Sequence, residues 1–218
     1  MKKLLLTFVL SAFYMTSAAA VSVHVGVSGQ AGLFAASATE STGSTTKGNG
    51  SEHGSAGWGS VFLEGQFGDR LIVGIDYVPS ALETDTTETA KSDKGVAAVS
   101  PTEVTNKVQV DFENLTTVYV GAMINDNFYV KAGALAVDVI TNESLGTGAS
   151  YGNTDLSGTM FGMGYHSAND NGTFFRFEGN YMAFDGTSLT STGTAADNKI
   201  SLDNLDGISA KISLGKTF

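Results

Sequence analysis

The stretch VQVDFENLTTVYVGAMI, residues 108–124, decides the fold of this chain. Apolar residues recur at every second position over most of it, with polar or charged residues between them. A period of two places successive side chains on opposite faces of a β-strand, whereas an amphipathic helix repeats every ~3.6 residues. The predicted apolar face carries Val108, Val110, Phe112, Thr116, Val118, Val120, Ala122 and Ile124, and Lys107, Gln109, Asp111, Glu113 and Thr117 stand against it.

The same alternation occurs in seven other segments, so eight strands are predicted. They cover approximately residues 21–28, 60–67, 70–77, 127–140, 156–166, 173–184 and 206–218 in addition to the first stretch. None of the segments offers an amphipathic helix of useful length. The chain is therefore expected to be all-β.

The connections between these strands alternate regularly in length. Long polar connections are predicted at residues 37–56, 80–106, 142–155 and 186–199, and tight turns at residues 68–69, 125–127 and 167–172. Short turns on one rim and long loops on the other are how a transmembrane barrel is threaded. The pattern predicts an eight-stranded antiparallel up-and-down transmembrane β-barrel. A secreted soluble β-sandwich is the alternative, although its Greek-key crossings usually break such regularity.

The amino terminus has the order of a secretory signal. A start of Met1, Lys2 and Lys3 is followed by an apolar run at residues 4–15 and by three alanines at residues 18–20. This charged, apolar and small-residue order predicts a signal peptide over residues 1–20 and a barrel domain over residues 21–218. An uncleaved anchor is the alternative, but the apolar run is shorter than the ~20 residues of a spanning helix. The absence of cysteine excludes a disulfide scaffold and a Cys-ligated metal site.

The charge balance argues against nucleic acid as a partner, because Lys and Arg number 12 against 22 Asp and Glu. Removal of Lys2 and Lys3 with the leader changes the formal charge from −10 to −12. The predicted inward face carries five acids and four bases, a net charge of −1, so −11 falls on the rest of the mature chain. These lumen charges are Glu64, Arg70, Asp76, Asp111, Glu113, Lys131, Arg176, Glu178 and Lys211.

The inside of an eight-stranded barrel is only wide enough for side chains to fill it. We therefore expect these charges to pair into a salt-bridged plug, because an unpaired buried charge is costly. A water-filled groove in which each charge is separately solvated is the alternative. On the opposite face, aromatic residues are expected in two rings at the membrane interfaces. One ring comprises Phe67, Phe128, Tyr165 and Phe218 beside the short turns, and the other comprises Tyr77, Phe112 and Tyr181.

The leader, the eight alternating strands and the closing strand resemble the small eight-stranded outer-membrane barrels of Gram-negative bacteria, of the OmpA transmembrane-domain and OmpX type. The resemblance covers the whole mature chain and implies a location in the cell outer membrane. It also implies that alternate residues of the last strand are an assembly signal read by the outer-membrane assembly machinery. The matching residues are Ile208, Ile212, Leu214 and the terminal Phe218, and Lys216 departs from the pattern.

The expected role is structural or interactive, with four acidic loops presented at the cell surface. Outer-membrane lipid and lipopolysaccharide are the expected contacts, with divalent cations bridging weakly at the loops. A narrow porin-like channel is the alternative. No enzymatic activity, cofactor, metal site or nucleic-acid partner is expected, and the chain is expected to be a monomer. Of His24, His53 and His166, only His53 would face the outer side, where the resemblance places the activity of barrel enzymes.

Overall fold

The computed structural model describes residues 21–93, 100–193 and 198–218, so the predicted signal peptide lies outside the described residues. Eight antiparallel strands form one wall: β1 Val21–Thr42, β2 Thr45–Phe67, β3 Leu71–Tyr77, β4 Thr102–Met123, β5 Phe128–Leu145, β6 Thr154–Ala168, β7 Thr173–Phe184 and β8 Asn198–Thr217. Short strands follow at Leu82–Glu83, Thr87–Asp93, Ala149–Ser150, Thr187–Thr190 and Thr192–Gly193. Within these described ranges, no helix is long and apolar enough to cross a membrane.

The wall closes on itself. Each strand pairs with the next along the chain, and β1 pairs with β8. The residue pairs that start at His24 on β1 lead once around the ring to Phe34, ten residues further along the same strand. Such a stagger means that the strands are tilted against the barrel axis. The predicted eight-stranded up-and-down barrel is confirmed.

The two ends of the barrel differ. At the turn end, short turns at residues 68–70, 124–127 and 169–172 lie near Val21 and Phe218. Gly68 and Gly172 have φ angles of 59° and 82°, a region that glycine enters without the steric cost of a Cβ. The opposite end, called the loop end, carries the longer connections. The tight turns predicted from the sequence are confirmed.

The first long connection predicted from the sequence is wrong. Residues 37–56 are not a loop: β1 and β2 continue as a paired hairpin and are joined only by Gly43 and Ser44. Their small polar side chains are compatible with continued pairing, and β8 extends beside them on the other edge of β1. Thr39 Oγ1 donates to Asp203 Oδ2 at 2.8 Å across this second pairing. Backbone hydrogen bonding therefore continues well beyond the apolar part of the wall.

Large apolar side chains face outward around the wall. In water such a continuous apolar surface would drive association, so its presence indicates contact with lipid. Its members, which we call the apolar belt, include Val25, Val27, Leu33, Val61, Leu63, Leu71, Val120, Ile124, Phe128, Phe161, Met163, Tyr165, Phe175, Phe177, Tyr181, Ile208, Ile212, Leu214 and Phe218. Phe128 and Tyr165 pack edge to face at the turn end, with ring centroids 5.3 Å apart. The predicted outward face is correct over this part of the chain.

A β-bulge at Asn114 reverses the two faces of β4. Glu113 pairs with Asp138 and Thr116 pairs with Ala136, so β4 holds one more residue than β5 at this point. Asn114 has a φ of 56° and bridges the strands through its side chain, since it accepts from Tyr77 Oη and donates to Asp138 Oδ2, both at 2.9 Å. An extra residue shifts the period-two alternation by one position.

The bulge corrects four predictions made from the alternation. Phe112 and Val110 pack against the internal apolar cluster and do not face lipid. Asp111 and Glu113 consequently lie on the outward face and outside the lumen. Asp111 accepts a hydrogen bond from Asn142 Nδ2 at 2.6 Å on this outer side. Uninterrupted alternation predicts the wrong face for all four side chains, because the bulge shifts the period by one residue.

We predict that Val120→Arg destabilises the barrel by about 2–4 kcal/mol, because it puts a cation into the lipid-facing belt. Val120 is 49% exposed on the outward face. The measurement is urea unfolding of protein refolded into lipid vesicles. Thr46→Arg, in the exposed hairpin beyond the belt, is the control and should change stability little. A neutral Val120→Arg variant would mean that this face does not contact lipid.

We predict that Asn114→Val costs about 1–2 kcal/mol more than Asn114→Gly. Both variants lose the two side-chain hydrogen bonds, but only valine must place a Cβ in the left-handed region. The same vesicle unfolding assay measures the difference. Equal stabilities for the two variants would show that the bulge does not depend on the backbone conformation of residue 114.

Candidate functional site in the barrel lumen

Six of the nine predicted lumen charges meet inside the turn-end half of the barrel. They come from five strands because alternate residues of each strand point inward. All are at least 94% buried, and three acids face three bases, so their formal charges sum to zero. This set, which we call the polar layer, comprises Glu64, Asp76, Lys131, Arg176, Glu178 and Lys211.

Arg176 lies at the centre of the part nearest the turn end. Its Nη1 donates to both carboxylate oxygens of Glu64, at 2.7 and 2.6 Å. Its Nε donates to His166 Nδ1 and its Nη2 contacts His24 Nδ1, each at 3.0 Å. Tyr119 Oη donates to Glu64 Oε1 at 2.5 Å. His24 contacts both groups, and with His166 and Tyr119 it holds the guanidinium and the carboxylate in one relative orientation.

Two lysines form the other part of the polar layer. Lys131 Nζ lies 2.7 Å from Glu178 Oε1, and Tyr129 Oη donates to the same oxygen at 2.5 Å. Lys211 Nζ forms an ion pair with Asp76 and lies 3.8 Å from Glu178 Oε2. Each cation therefore has a carboxylate partner, which offsets the cost of removing it from water. This is the geometry of a salt-bridged plug.

Interior glycines make room for the polar layer. A Cβ on Gly74 would lie 2.6 Å from Tyr119 Cζ and 2.7 Å from Glu64 Cγ. A Cβ on Gly164 would lie 2.6 Å from Tyr129 Cζ. Both positions are thus closed to any larger residue, and each tyrosine hydroxyl reaches its carboxylate across the surface of a glycine.

Apolar side chains fill the lumen beyond the polar layer, toward the loop end. This apolar layer was not predicted, and its members are Trp58, Val78, Leu115, Leu135, Val137, Val139, Leu156, Met160, Met182 and Leu205. The signal was available in β5, where residues 134–137 are apolar on both faces. A strand apolar on both faces is buried on both, by lipid outside and by side chains inside.

The structure also places Arg70 outside the lumen. It lies exposed in the turn before β3, which begins only at Leu71. Its carbonyl accepts from Met123 N at 2.8 Å, which fixes the turn. Asp111 and Glu113 are excluded by the bulge, so the predicted network of nine charges is corrected to the six of the polar layer. His24, His166, Tyr119 and Tyr129 join these six and were absent from the prediction.

The predicted assembly signal lies on the outward face of β8. Ile208, Ile212, Leu214 and Phe218 are all more than half exposed, toward the side of the apolar belt. Phe218 is tied to β1 by two backbone hydrogen bonds with Val23, at 2.9 and 3.0 Å. The aromatic side chain itself is 76% exposed. Its recognition by the assembly machinery stays a prediction.

We predict that Arg176→Met destabilises the barrel by about 3–5 kcal/mol, because it leaves Glu64 buried without its main partner. The double variant Arg176→Met with Glu64→Leu should cost much less than the sum of the two single variants. Unfolding in lipid vesicles measures all three. Lys107→Met, which breaks an exposed pair with Glu88, is the control and should cost at most about 1 kcal/mol. Additive single costs would show that the buried pair is not coupled.

Comparison with known proteins bears on the fold of this chain alone. No protein-family model and no curated protein matches this sequence. Among solved structures, the outer membrane protein OprG from Pseudomonas aeruginosa matches with a TM-score of 0.59 and 14% identity, over 92% of this chain and 97% of that chain. Ail, the attachment invasion locus protein of Yersinia pestis, matches with a TM-score of 0.38 and 11% identity, over 88% and 99%. The likeness to OprG, together with the closed ring of strands, confirms the predicted resemblance at the level of the fold: the chain is an antiparallel barrel of the eight-stranded outer-membrane type.

Proposed function

We propose that this protein is an outer-membrane barrel with a closed lumen and a structural or surface-interaction role. The observation that carries the proposal is the filling of the lumen at two successive levels. The polar layer blocks the turn-end half with paired charges, and the apolar layer blocks the loop-end half. A water-filled path through the barrel would have to open both. The turn end faces the periplasm and the loop end faces the outside.

The charge distribution supports a role at the outer surface. Because the polar layer is neutral, the formal charge of −12 on residues 21–218 lies entirely outside it. Acidic residues such as Glu40, Glu52, Glu83 and Glu88 lie in the loop-end extensions. Lipopolysaccharide is the proposed neighbour, and Mg²⁺ or Ca²⁺ would bridge its phosphates to these carboxylates, since direct contact would be repulsive.

A narrow channel is the second candidate, and one observation favours it. A cavity of about 30 Å³ lies between the two layers, and its lining includes Asp76, Lys211 and Asn180. Trp58 Nε1 and Asn180 Oδ1 are buried there, and neither has a hydrogen-bond partner among the described residues. A cavity of this size with two free polar atoms suits a bound water. One water bound at this point would still leave the lumen short of a continuous path.

No enzymatic role is proposed. His24 and His166 are both held by Arg176 near the turn end. His53 is exposed on β2 at the loop end and has no part in the polar layer. The protein is further proposed to act as a monomer and without a cofactor, and to reach the membrane through the assembly machinery.

We predict that the refolded protein produces no unitary current steps in planar lipid bilayers. Arg176→Ala should remain silent, because the apolar layer still closes the loop-end half after the plug is weakened. Asp111→Asn, on the outward face, is the matched control. Steps in the native chain whose size changes in Arg176→Ala but not in Asp111→Asn would contradict the closed lumen and support the channel.

A further inference from the structure

A groove of about 610 Å³ lies on the outer surface of the barrel, at the loop-end edge of the apolar belt. Two rows of outward side chains bound it on neighbouring strands. The row nearer the belt is Ser55 on β2, Leu33 on β1, Ile208 on β8 and Tyr181 on β7, which are successive partners across the strands. The row nearer the loops is His53 on β2, Ala35 on β1 and Asp206 on β8.

The groove is apolar on one side and polar on the other. Leu33 and Ile208 are 60% and 57% exposed and continue the apolar belt. His53 and Asp206 stand on the far side, where the belt ends. Tyr181 spans the two rows, because its ring lies beside Ile208 and its hydroxyl donates to Asp206 Oδ1 at 2.8 Å. Such an arrangement fits a ligand with an apolar tail and a polar head.

The polar side has the dimensions of one sugar ring. His53 and Asp206 are partners of the same residue, Ala35, from opposite sides. Two strand spacings, about 9–10 Å between backbones, separate the two residues. Ala35 has only a methyl group, so the space between the imidazole and the carboxylate stays open. The floor below it is the backbone of Phe34, flanked by Gly54 and Gly207.

The chemistry of these groups favours hydroxyl groups over phosphate. The Asp206 carboxylate only accepts hydrogen bonds when ionised, and it repels an anionic headgroup. An imidazole and a seryl hydroxyl, on His53 and Ser55, can each donate or accept. Within the part of the chain that the structure describes, no lysine or arginine lines this groove. A neutral polyhydroxylated head is therefore the better match.

We propose that this groove binds one molecule of a sugar-headed lipid in the outer leaflet. An acyl chain lies along Leu33 and Ile208, and the sugar ring sits between His53 and Asp206 over Ala35. The inference rests on the proposed membrane placement of the barrel and is independent of whether the lumen is closed. It adds to the surface role a defined lipid site on one side of the wall.

The test uses the protein refolded in detergent micelles and native mass spectrometry to count bound lipid. The probes are a glucosyl diacylglycerol, the matching diacylglycerol without sugar, and phosphatidylglycerol with the same chains. We expect one equivalent of the glucosyl lipid to bind, about tenfold more tightly than either of the other lipids. A tenfold difference in affinity is what one hydrogen bond to a charged group contributes. Equal binding of the three lipids would overturn the proposal.

Variants locate the site. His53→Leu and Asp206→Asn should each weaken binding of the glucosyl lipid about tenfold, and Ala35→Phe should abolish its preference by filling the floor. Asp111→Asn, an outward carboxylate on the opposite side of the ring, is the matched control and should bind like the native chain. Heat-modifiable gel mobility selects folded protein in each case. Folded Ala35→Phe that keeps the preference would overturn the proposal.

This experiment separates the groove from the proposed function. Current steps in a bilayer report only on the lumen, and lipid counting reports only on the outer wall. A conducting protein that still prefers the glucosyl lipid would contradict the closed lumen and support the groove. A protein that gives no current steps and does not prefer the glucosyl lipid would support the closed lumen and contradict the groove.

Discussion

The closing pair between β1 and β8 is the interaction on which the rest of this structure depends. A sheet edge in hydrocarbon would leave a row of amide and carbonyl groups without partners, and each would cost several kcal/mol. Pairing from His24 with Thr217 up to Thr42 with Asn198 removes both edges at once. The wall can then expose apolar side chains on one side, while the other side encloses a space shielded from lipid. The polar layer is tolerable only within such a closed ring.

The enclosed space is stabilised by opposite means at its two ends. Near the turns, charges are balanced one for one and the tyrosine hydroxyls complete the carboxylate shells. Toward the loops, branched and thioether side chains pack as they would in a soluble core. A plug of paired charges fixes orientation and geometry, whereas an apolar filling adds cohesion with little geometric demand. Together the two layers explain how a narrow barrel can have both a defined internal geometry and a closed lumen.

Most of the fold could be predicted from the sequence, because period-two alternation and turn chemistry are local signals. The lipid-facing parity of Val120 and Ile212 and the turns after β2 and β4 follow from neighbouring residues alone. The sequence predicted that all six charges of the polar layer point into the lumen. It did not predict which acid pairs with which base, because that depends on the stagger of the whole ring. The misplacement of Asp111 and Glu113 has one cause: the bulge at Asn114 adds a residue within a strand that otherwise alternates without interruption. The prediction for Arg70 was wrong for a different reason. A residue just outside a strand is not held on either face of the sheet, and β3 begins only at Leu71.

The continuation of β1 and β2 past the belt determines what the outer surface can carry. From Leu33 to Thr42 the strand advances by about 30 Å at ~3.3 Å per residue, with part of that length taken up by tilt. A hydrogen-bonded hairpin of this length holds its tip at a nearly constant height above the bilayer. An unpaired loop with the same number of residues would adopt many conformations, and its tip would lie at many different heights. A peptide grafted between Gly43 and Ser44 would therefore be displayed at a set distance from the bilayer, because the paired strands below it restrict its movement.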